Sequence, residues 1–302
     1  MQETLLKWFQ SQQRDLPWRH THDPYAILVA EVMLQQTQVD RVIPKYREFF
    51  QRFPTLQALA EAPTAQVIRT WAPLGYNRRA VRLQRLARTV VSQYGGHLPQ
   101  KPQELLHLEG IGPYTAAALA CFAFGEDVAV LDTNARRVLG RLFFGVKGGT
   151  PQQLRVLADE VLPQGQSWAW SQALMDLGAI LCTRQRPRCL LCPLRPRCRA
   201  YPELQRGVRE VAEAVPTHRP HQAPFYGSTR YYRGRIVERL RGLEPAESLS
   251  LESLGRDVKP GFTTEDASWL LQLLQGLERD GLLVLRWGST EGTLVQLQVA
   301  LP

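Results

Sequence analysis

The chain contains no long apolar run, little cysteine and few stretches that alternate with period two. No segment approaches the ~18 consecutive apolar residues that a membrane span needs. Met1 to Arg14 mixes Glu3, Lys7 and Arg14 with apolar residues at helical spacing, which is not the pattern of a secretory signal. A cytosolic, reducing setting with no membrane partner is therefore expected. The scarcity of alternation leaves no βαβ rhythm, and no internal repeat is visible. Of only five cysteines in 302 residues, Cys121 sits in an apolar run, while Cys182, Cys189, Cys192 and Cys198 form a C-x6-C-x2-C-x5-C series. A disulfide scaffold would spread an even set of cysteines through a short chain. Four thiols on one short segment instead suit a tetrahedral zinc or a [4Fe–4S] cluster, and the spacing leaves both open.

What is abundant is arginine. Lys and Arg number 37 against 28 Asp and Glu, a formal charge of +9, and the pI is ≈ 9.6. Such a surplus favours an anionic partner, nucleic acid first. Arg184, Arg186, Arg188, Arg195, Arg197 and Arg199 thread through the cysteine series. Six guanidiniums on one loop repel one another unless phosphates face them.

Up to about residue 200 the chain reads as helix after helix, broken at Pro or Gly. Asp23-Pro24 is an N-cap with Pro at the first helical position and opens a helix expected to reach about Gln38. Further helices are expected near 41–52, 55–60, 64–72, 78–94, 101–107, 113–124, 132–143, 151–161 and 167–181. Residues 201–225, with Pro202, Pro216, Pro220 and Pro224, have the composition of a linker. Beyond it, helices are expected at 229–241, 249–256 and 264–280, then strands at Leu282 to Trp287 and Thr293 to Val299 around a turn at Gly288 to Gly292. Three helices and a hairpin are the order of a winged-helix module, and a generic helical cap with a hairpin has the same outline. Tyr231, Tyr232, Arg233 and Arg235 are either DNA contacts of that module or parts of an amphipathic helix packed on its own core.

Three places carry chemistry. Leu108-Glu-Gly-Ile-Gly112 joins two helices ahead of Pro113, and its two glycines, Gly110 and Gly112, leave backbone N–H groups at a helix N-terminus, where an anion is favoured. A plain helix-connecting turn has the same look. Asp132 ends the apolar run from Val128 and precedes Thr133, Asn134 and a basic helix; it is either an N-cap or an ionised carboxylate that opposes a cation formed in a reaction. Glu31 lies mid-helix with Ile27, Leu28 and Leu34 on its face. Burial there raises its pKa and suits a general acid, unless Arg14 or Arg19 pairs with it.

Together these residues resemble the helix-hairpin-helix DNA glycosylase superfamily that includes endonuclease III, and within it the MutY-type adenine DNA glycosylases. The strings are RDLPWR (Arg14 to Arg19), AEVMLQQTQV (Ala30 to Val39), LGY (Leu74 to Tyr76), LEGIGPYTAAA (Leu108 to Ala118), LDTNARRVLGR (Leu131 to Arg141) and MDLGAILCTRQRPRCLLCPL (Met175 to Leu194). The resemblance covers roughly residues 1–200 and implies a mainly α, bilobal glycosylase domain there with a [4Fe–4S] loop at 182–198; composition and element order add the linker at 201–225 and a winged-helix-like α+β domain at 226–302. It implies a monomer that acts on double-stranded DNA in the nucleoid and excises adenine mispaired with 8-oxoguanine or guanine, flipping the base out of the stack. Glu31 is the implied acid and Asp132 the implied stabiliser of the sugar cation, with Tyr114 and Asn134 beside them. Arg14, Arg19 and Asp176 match positions that line the base pocket or support the acid. Gln36, Leu74 and Tyr76 match elements that probe the opposing base and fill the gap. Tyr114 stands where strand-nicking relatives carry a Schiff-base lysine, so no lyase step is expected.

The sequence departs from that pattern in places. Asn77 follows Tyr76 where a second Tyr is usual, and Thr133 replaces the glycine of Asp-Gly-Asn. The tail is too short and too helical for the nucleotide-hydrolase-like domain that reads 8-oxoguanine. PWRHTHDPYAIL and the hairpin Tyr also look like archaeal thymine glycosylases, which keeps thymine or uracil excision from G:T or G:U as an alternative. A non-catalytic iron–sulfur DNA-binding protein is the alternative of another class.

Overall fold

The computed structural model describes residues 1–207, 224–287 and 297–302. The chain divides into two compact units, each assembled from two separated segments. One comprises residues up to Glu31 and the described residues from Leu98 to Gly207; the other comprises Val32–His97 and the described residues from Pro224 onward. No helix among the described residues is long and apolar enough to cross a membrane.

The first unit is helical throughout. Helix α1 (Gln2–Gln12) is followed by a 3-10 turn (Pro17–Arg19) and by α2 (Pro24–Leu34), inside which the chain leaves this unit. In the second unit α3 (Val39–Arg52), α4 (Leu56–Glu61), α5 (Thr64–Trp71) and α6 (Arg78–Tyr94) follow. The chain then returns with α7 (Pro102–Leu105), α8 (Pro113–Phe122), α9 (Thr133–Phe144), α10 (Pro151–Glu160), α11 (Ser167–Ile180) and α12 (Ala200–Gln205). Local chemistry sets these boundaries. Asp132 caps α9 by accepting from the Ala135 N–H, and Thr150 and Gln153 form a reciprocal capping box on α10. The core of this unit joins Leu5 and Phe9 of α1 to Val138, Leu139 and Leu142 of α9 and to Trp170, Leu174 and Leu177 of α11.

Helix α2 stops short of the expected Gln38, at Leu34. The backbone carbonyls of Val32, Met33 and Gln35, which a longer helix would satisfy from within, instead accept hydrogen bonds from the Arg79 guanidinium. Gln36 turns into the left-handed region at φ 57°.

In the C-terminal segment α13 (Thr229–Arg241), β1 (Leu249–Ser250), α14 (Leu251–Val258), α15 (Ala267–Arg279), β2 (Val284–Arg286) and β3 (Gln298–Ala300) follow in the order helix, strand, helix, helix, strand, strand. The antiparallel sheet runs β1-β3-β2, with Leu249 opposite Val299 and Leu285 opposite Val299 on the other side. Strand β1 takes the two residues expected to begin a helix at 249, because its backbone pairs with β3 and Ser250 then caps α14. The turn expected at Gly288 to Gly292 and most of the linker lie outside the described residues; α12 covers the start of that linker.

This segment shares its core with the rest of its unit. Ile68 of α5 and Val81 of α6 belong to one apolar cluster with Ile236, Leu240, Leu254, Leu270, Leu274 and Val299. Arg69 donates to the carbonyls of Arg241 and Leu243, and Arg241 donates to Ile68 O and Asn77 Oδ1. Of the residues considered for DNA contact in this module, Tyr232 packs edge-on against Trp269 at 4.8 Å, Arg233 pairs with Asp280 and Arg235 donates to Asp257 O. These three, like Tyr231 beside Phe225 and Tyr226, are engaged within the segment.

Candidate active site

Glu31 is 7% exposed on α2, within an apolar helix whose buried neighbours include Ile27 and Leu28. Its carboxyl is pushed up to about 7, first by burial and then by the charge of Asp132, against a hydrogen bond from the Tyr114 hydroxyl. Tyr114 lies in the first turn of α8, two residues past the N-cap Gly112. Burial, ahead of the two carboxylates, drives its own phenol well above the usual range, so it remains a donor. Glu31, Tyr114 and Asp132 therefore form one electrostatic group within one unit.

Asp132 occupies the N-cap of α9 and is fully engaged. Its Oδ1 accepts from the Ala135 N–H at 2.6 Å and its Oδ2 from Asn134 Nδ2 at 2.8 Å. Burial pushes its pKa up, and these two hydrogen bonds with the Arg137 charge oppose that rise. The N-cap reading holds, and capping fixes the orientation of a carboxylate whose charge reaches Glu31. Asn134 is held in turn by Arg137, whose Nη2 donates to Asn134 Oδ1 at 2.7 Å and to Gly178 O at 2.8 Å, while Nε donates to Cys182 O at 2.7 Å. Gly178 lets α11 approach this corner: a Cβ there would lie 2.6 Å from the Asn134 Cβ.

Arg14 and Arg19 do not pair with Glu31. Both converge on Asp176, which is 0% exposed on α11, with Arg14 Nε at 2.6 Å and the Arg19 guanidinium at 2.8 and 2.9 Å. Burial alone would raise the Asp176 carboxyl, but hydrogen bonds and charge from Arg19 and then Arg14 hold it below the usual range. Arg19 also donates to Gln172 at 2.7 Å. Two cations on one carboxylate keep the group ionised and rigid.

Gly110 takes φ +91°, a conformation that non-glycine residues rarely adopt, and Gly112 is extended with open space around it. In the second unit Leu74 is buried, so of the Leu74–Tyr76 turn only Tyr76, 63% exposed, presents its side chain outward. Gln36 is exposed on a separate turn.

The four cysteines of the loop line one cavity with Arg141, Arg195 and Tyr201. Among the described residues no set of three or more His, Cys, Asp or Glu side chains gathers closely enough to hold a single metal ion. Four thiols around one cavity are the soft donor set that a metal or iron–sulfur centre takes. Arg141, 2% exposed, donates to Cys182 Sγ at 3.4 Å and to the carbonyls of Thr183 and Arg184. Arg199 donates to Phe143 O at 2.9 Å. Two of the many arginines therefore fasten the loop to α9.

Sequence reasoning did not single out Gln172, Gly178, Arg79 or the special place of Arg137 within its basic helix. Each acts on backbone or on a partner remote in sequence, and only the glycine of MDLGAIL left a visible trace.

Comparison with known proteins places this arrangement. The HhH-GPD superfamily of base excision DNA repair proteins matches residues 29–164. An adenine DNA glycosylase of Mycolicibacterium smegmatis is 40% identical over 243 residues, 78% of this chain and 79% of that protein. A thymine/uracil-DNA glycosylase of Methanothermobacter thermautotrophicus is 35% identical over 66% of this chain and 91% of its own length. The solved structure of a thermostable thymine-DNA glycosylase, 34% identical, superimposes with a TM-score of 0.64 over 67% of this chain and 95% of that one. With adenine-branch identity extending over most of both chains and a glycosylase fold beneath it, the chain belongs to the endonuclease III-like helix-hairpin-helix DNA glycosylases, alongside the adenine DNA glycosylases.

Proposed function

We propose that this protein is a monofunctional adenine DNA glycosylase that hydrolyses the N-glycosidic bond of adenine opposite 8-oxoguanine or guanine, acting as a monomer on duplex DNA of the nucleoid. The observation that carries the reading is the buried Glu31 near half-protonation at neutral pH, set beside the capped carboxylate of Asp132. An acid of this pKa can both hold and give up a proton under ordinary conditions.

Once the adenine is flipped out, Glu31 protonates it at N7, the bond from C1′ to N9 breaks, and the electron pair leaves with the base. The sugar is left as an oxocarbenium-like cation. Asp132, its orientation fixed by Ala135 and Asn134, opposes that charge until water adds its oxygen to C1′ and releases a proton. Tyr114 orients Glu31 through a phenol, which cannot form an imine with the sugar. Strand cleavage is thus left to other enzymes. Arg14, Arg19 and Asp176 brace the wall that receives the base.

Cys182, Cys189, Cys192 and Cys198 would hold a [4Fe–4S] cluster, which supplies cross-linking of the basic loop rather than bond chemistry. The exposed arginines of that loop then face the phosphates.

Asp132→Asn tests the assignment, because asparagine is an equally good N-cap and keeps the helix start intact. Excision in single-turnover assays should fall by at least 10³-fold with specific duplex binding retained; a loss below tenfold would remove Asp132 from the chemistry. The product should be an intact strand with an abasic site, and borohydride should trap no adduct. Thymine or uracil excision opposite guanine is the second reading, carried by likeness to the thymine/uracil enzyme and by Tyr114. The string Met33-Leu34-Gln35-Gln36-Thr37 weighs toward adenine.

A further inference from the structure

Three described non-glycine residues of the second unit lie in the left-handed region, Gln36 at φ 57°, Tyr76 at φ 48° and Ala246 at φ 71°, and the first two share a partner. Such backbone is unfavourable for L-residues, persists only where surroundings over-determine it, and gathers at functional positions. Both residues are exposed, and Tyr76 shows 63% of its surface on the turn between α5 and α6. One side chain bonds to both turns. Arg79, in the first turn of α6, donates from Nη1 to the carbonyls of Val32 at 2.8 Å, Met33 at 3.0 Å and Gln35 at 2.6 Å. From Nη2 it donates to Thr37 Oγ1 at 3.0 Å and to Gly75 O at 3.3 Å. Its guanidinium carbon also lies 5.4 Å from the ring centroids of both Trp71 and Tyr76.

Every partner in this set is neutral. A cation taken partly out of water without a carboxylate is an expensive choice for stability, and its buried Nε has no hydrogen-bond partner among the described residues. Burial accordingly lowers the Arg79 pKa to about 10. A lysine has neither the planar fork nor the stacking face that this set of contacts needs. The donors all point inward, so Arg79 is not itself a phosphate contact.

We infer that Arg79 is the positioning residue of the element that enters the base stack, locking the Gln36 turn to the Tyr76 turn so that the exposed ring is aimed before DNA arrives. The inference rests on the glycosylase reading, in which a flipped nucleotide leaves a gap that an inserted side chain must fill. A ring already stacked on a fixed guanidinium, on a turn also held by Arg41 Nη2 donating to Pro73 O at 2.9 Å, loses little freedom on insertion. The signature is affinity for the opened duplex, not speed of the bond-breaking step, because Arg79 acts through Tyr76 and Gln36.

The test compares Arg79→Gln, Arg79→Lys, Tyr76→Ala and the Arg79→Gln/Tyr76→Ala double variant as full-length, cluster-loaded proteins, with thermal melts to show folding. Affinity is read on a duplex carrying an uncleavable adenine analogue opposite 8-oxoguanine, and rate by single turnover on the matching adenine duplex with enzyme saturating. Both Arg79 variants should bind at least tenfold more weakly while the saturated rate stays within threefold of wild type. In the double variant the two losses should be less than additive. Binding within threefold of wild type, full rescue by lysine, or strictly additive losses would each overturn the inference. A wild-type protein inactive on adenine duplexes would instead overturn the glycosylase reading beneath it, so the two failures are distinguishable.

Discussion

The proposed mechanism rests its proton transfer on one side chain, Glu31. Burial dominates its environment, the Asp132 charge adds to it, and the Tyr114 hydrogen bond only partly offsets them. The result has two consequences that pH separates. Because the acid must carry its proton to donate it, single-turnover excision should fall as pH rises through about 7. Because the folded-state pKa lies above the unfolded one, stability tied to this group is fully present below pH 4.5 and is lost as pH rises through about 7. A rise from 4.5 to about 7 corresponds to about 3 kcal/mol. Glu31→Gln should therefore be inactive yet more stable than wild type at alkaline pH. In urea unfolding its advantage should grow by about 2–3 kcal/mol between pH 5 and pH 8.5; a pH-independent difference would mean that Glu31 is not buried as a free acid. The apolar stripe around Glu31 was legible in the sequence because it follows helical spacing. Its partner Tyr114 was legible only through resemblance, since no local pattern pairs residues so far apart in the chain.

At the scale of elements, the contact between α9 and α11 decides how accurately Asp132 is placed. Gly178 permits a backbone approach that any side chain would block, its missing Cβ lying 2.6 Å from the Asn134 Cβ. Gly178→Ala should cost about 1–3 kcal/mol through overpacking. The excision rate should drop further than that loss explains, because the displaced Asn134 is a hydrogen-bond donor to Asp132. Thermal melts and single-turnover rates at a temperature where the variant is fully folded separate the two effects; an unchanged rate would show that α9 tolerates the shift. Most helices were readable from Pro, Gly and capping residues, as at Pro24, Thr150 and Pro151. The early end of α2 was not, because the guanidinium that satisfies its last carbonyls comes from α6. Strand β1 escaped for a similar reason: two residues become a strand only when β3 pairs with them.

For the whole molecule, charge and core are distributed differently. Residues 226–302 hold nine Lys and Arg against ten Asp and Glu, so the entire basic surplus lies in the preceding part of the chain. Electrostatic attraction to DNA therefore belongs to the residues that precede this C-terminal segment. That segment is nonetheless bound into its unit through Ile68, Val81, Arg69 and Arg241. Deleting residues 226–302 should lower Tm by more than 10 °C or leave the protein insoluble, on the order of several kcal/mol of lost apolar burial; a melt unchanged from wild type would show that the shared core contributes nothing. The central claim, adenine excision by the Glu31 and Asp132 pair, is tested most directly by single-turnover cleavage with alkaline workup on four matched duplexes carrying A:8-oxoguanine, A:G, T:G and U:G. Cleavage of the two adenine duplexes, fastest opposite 8-oxoguanine, is the predicted result, and cleavage confined to T:G or U:G, or of none of the four, would contradict it.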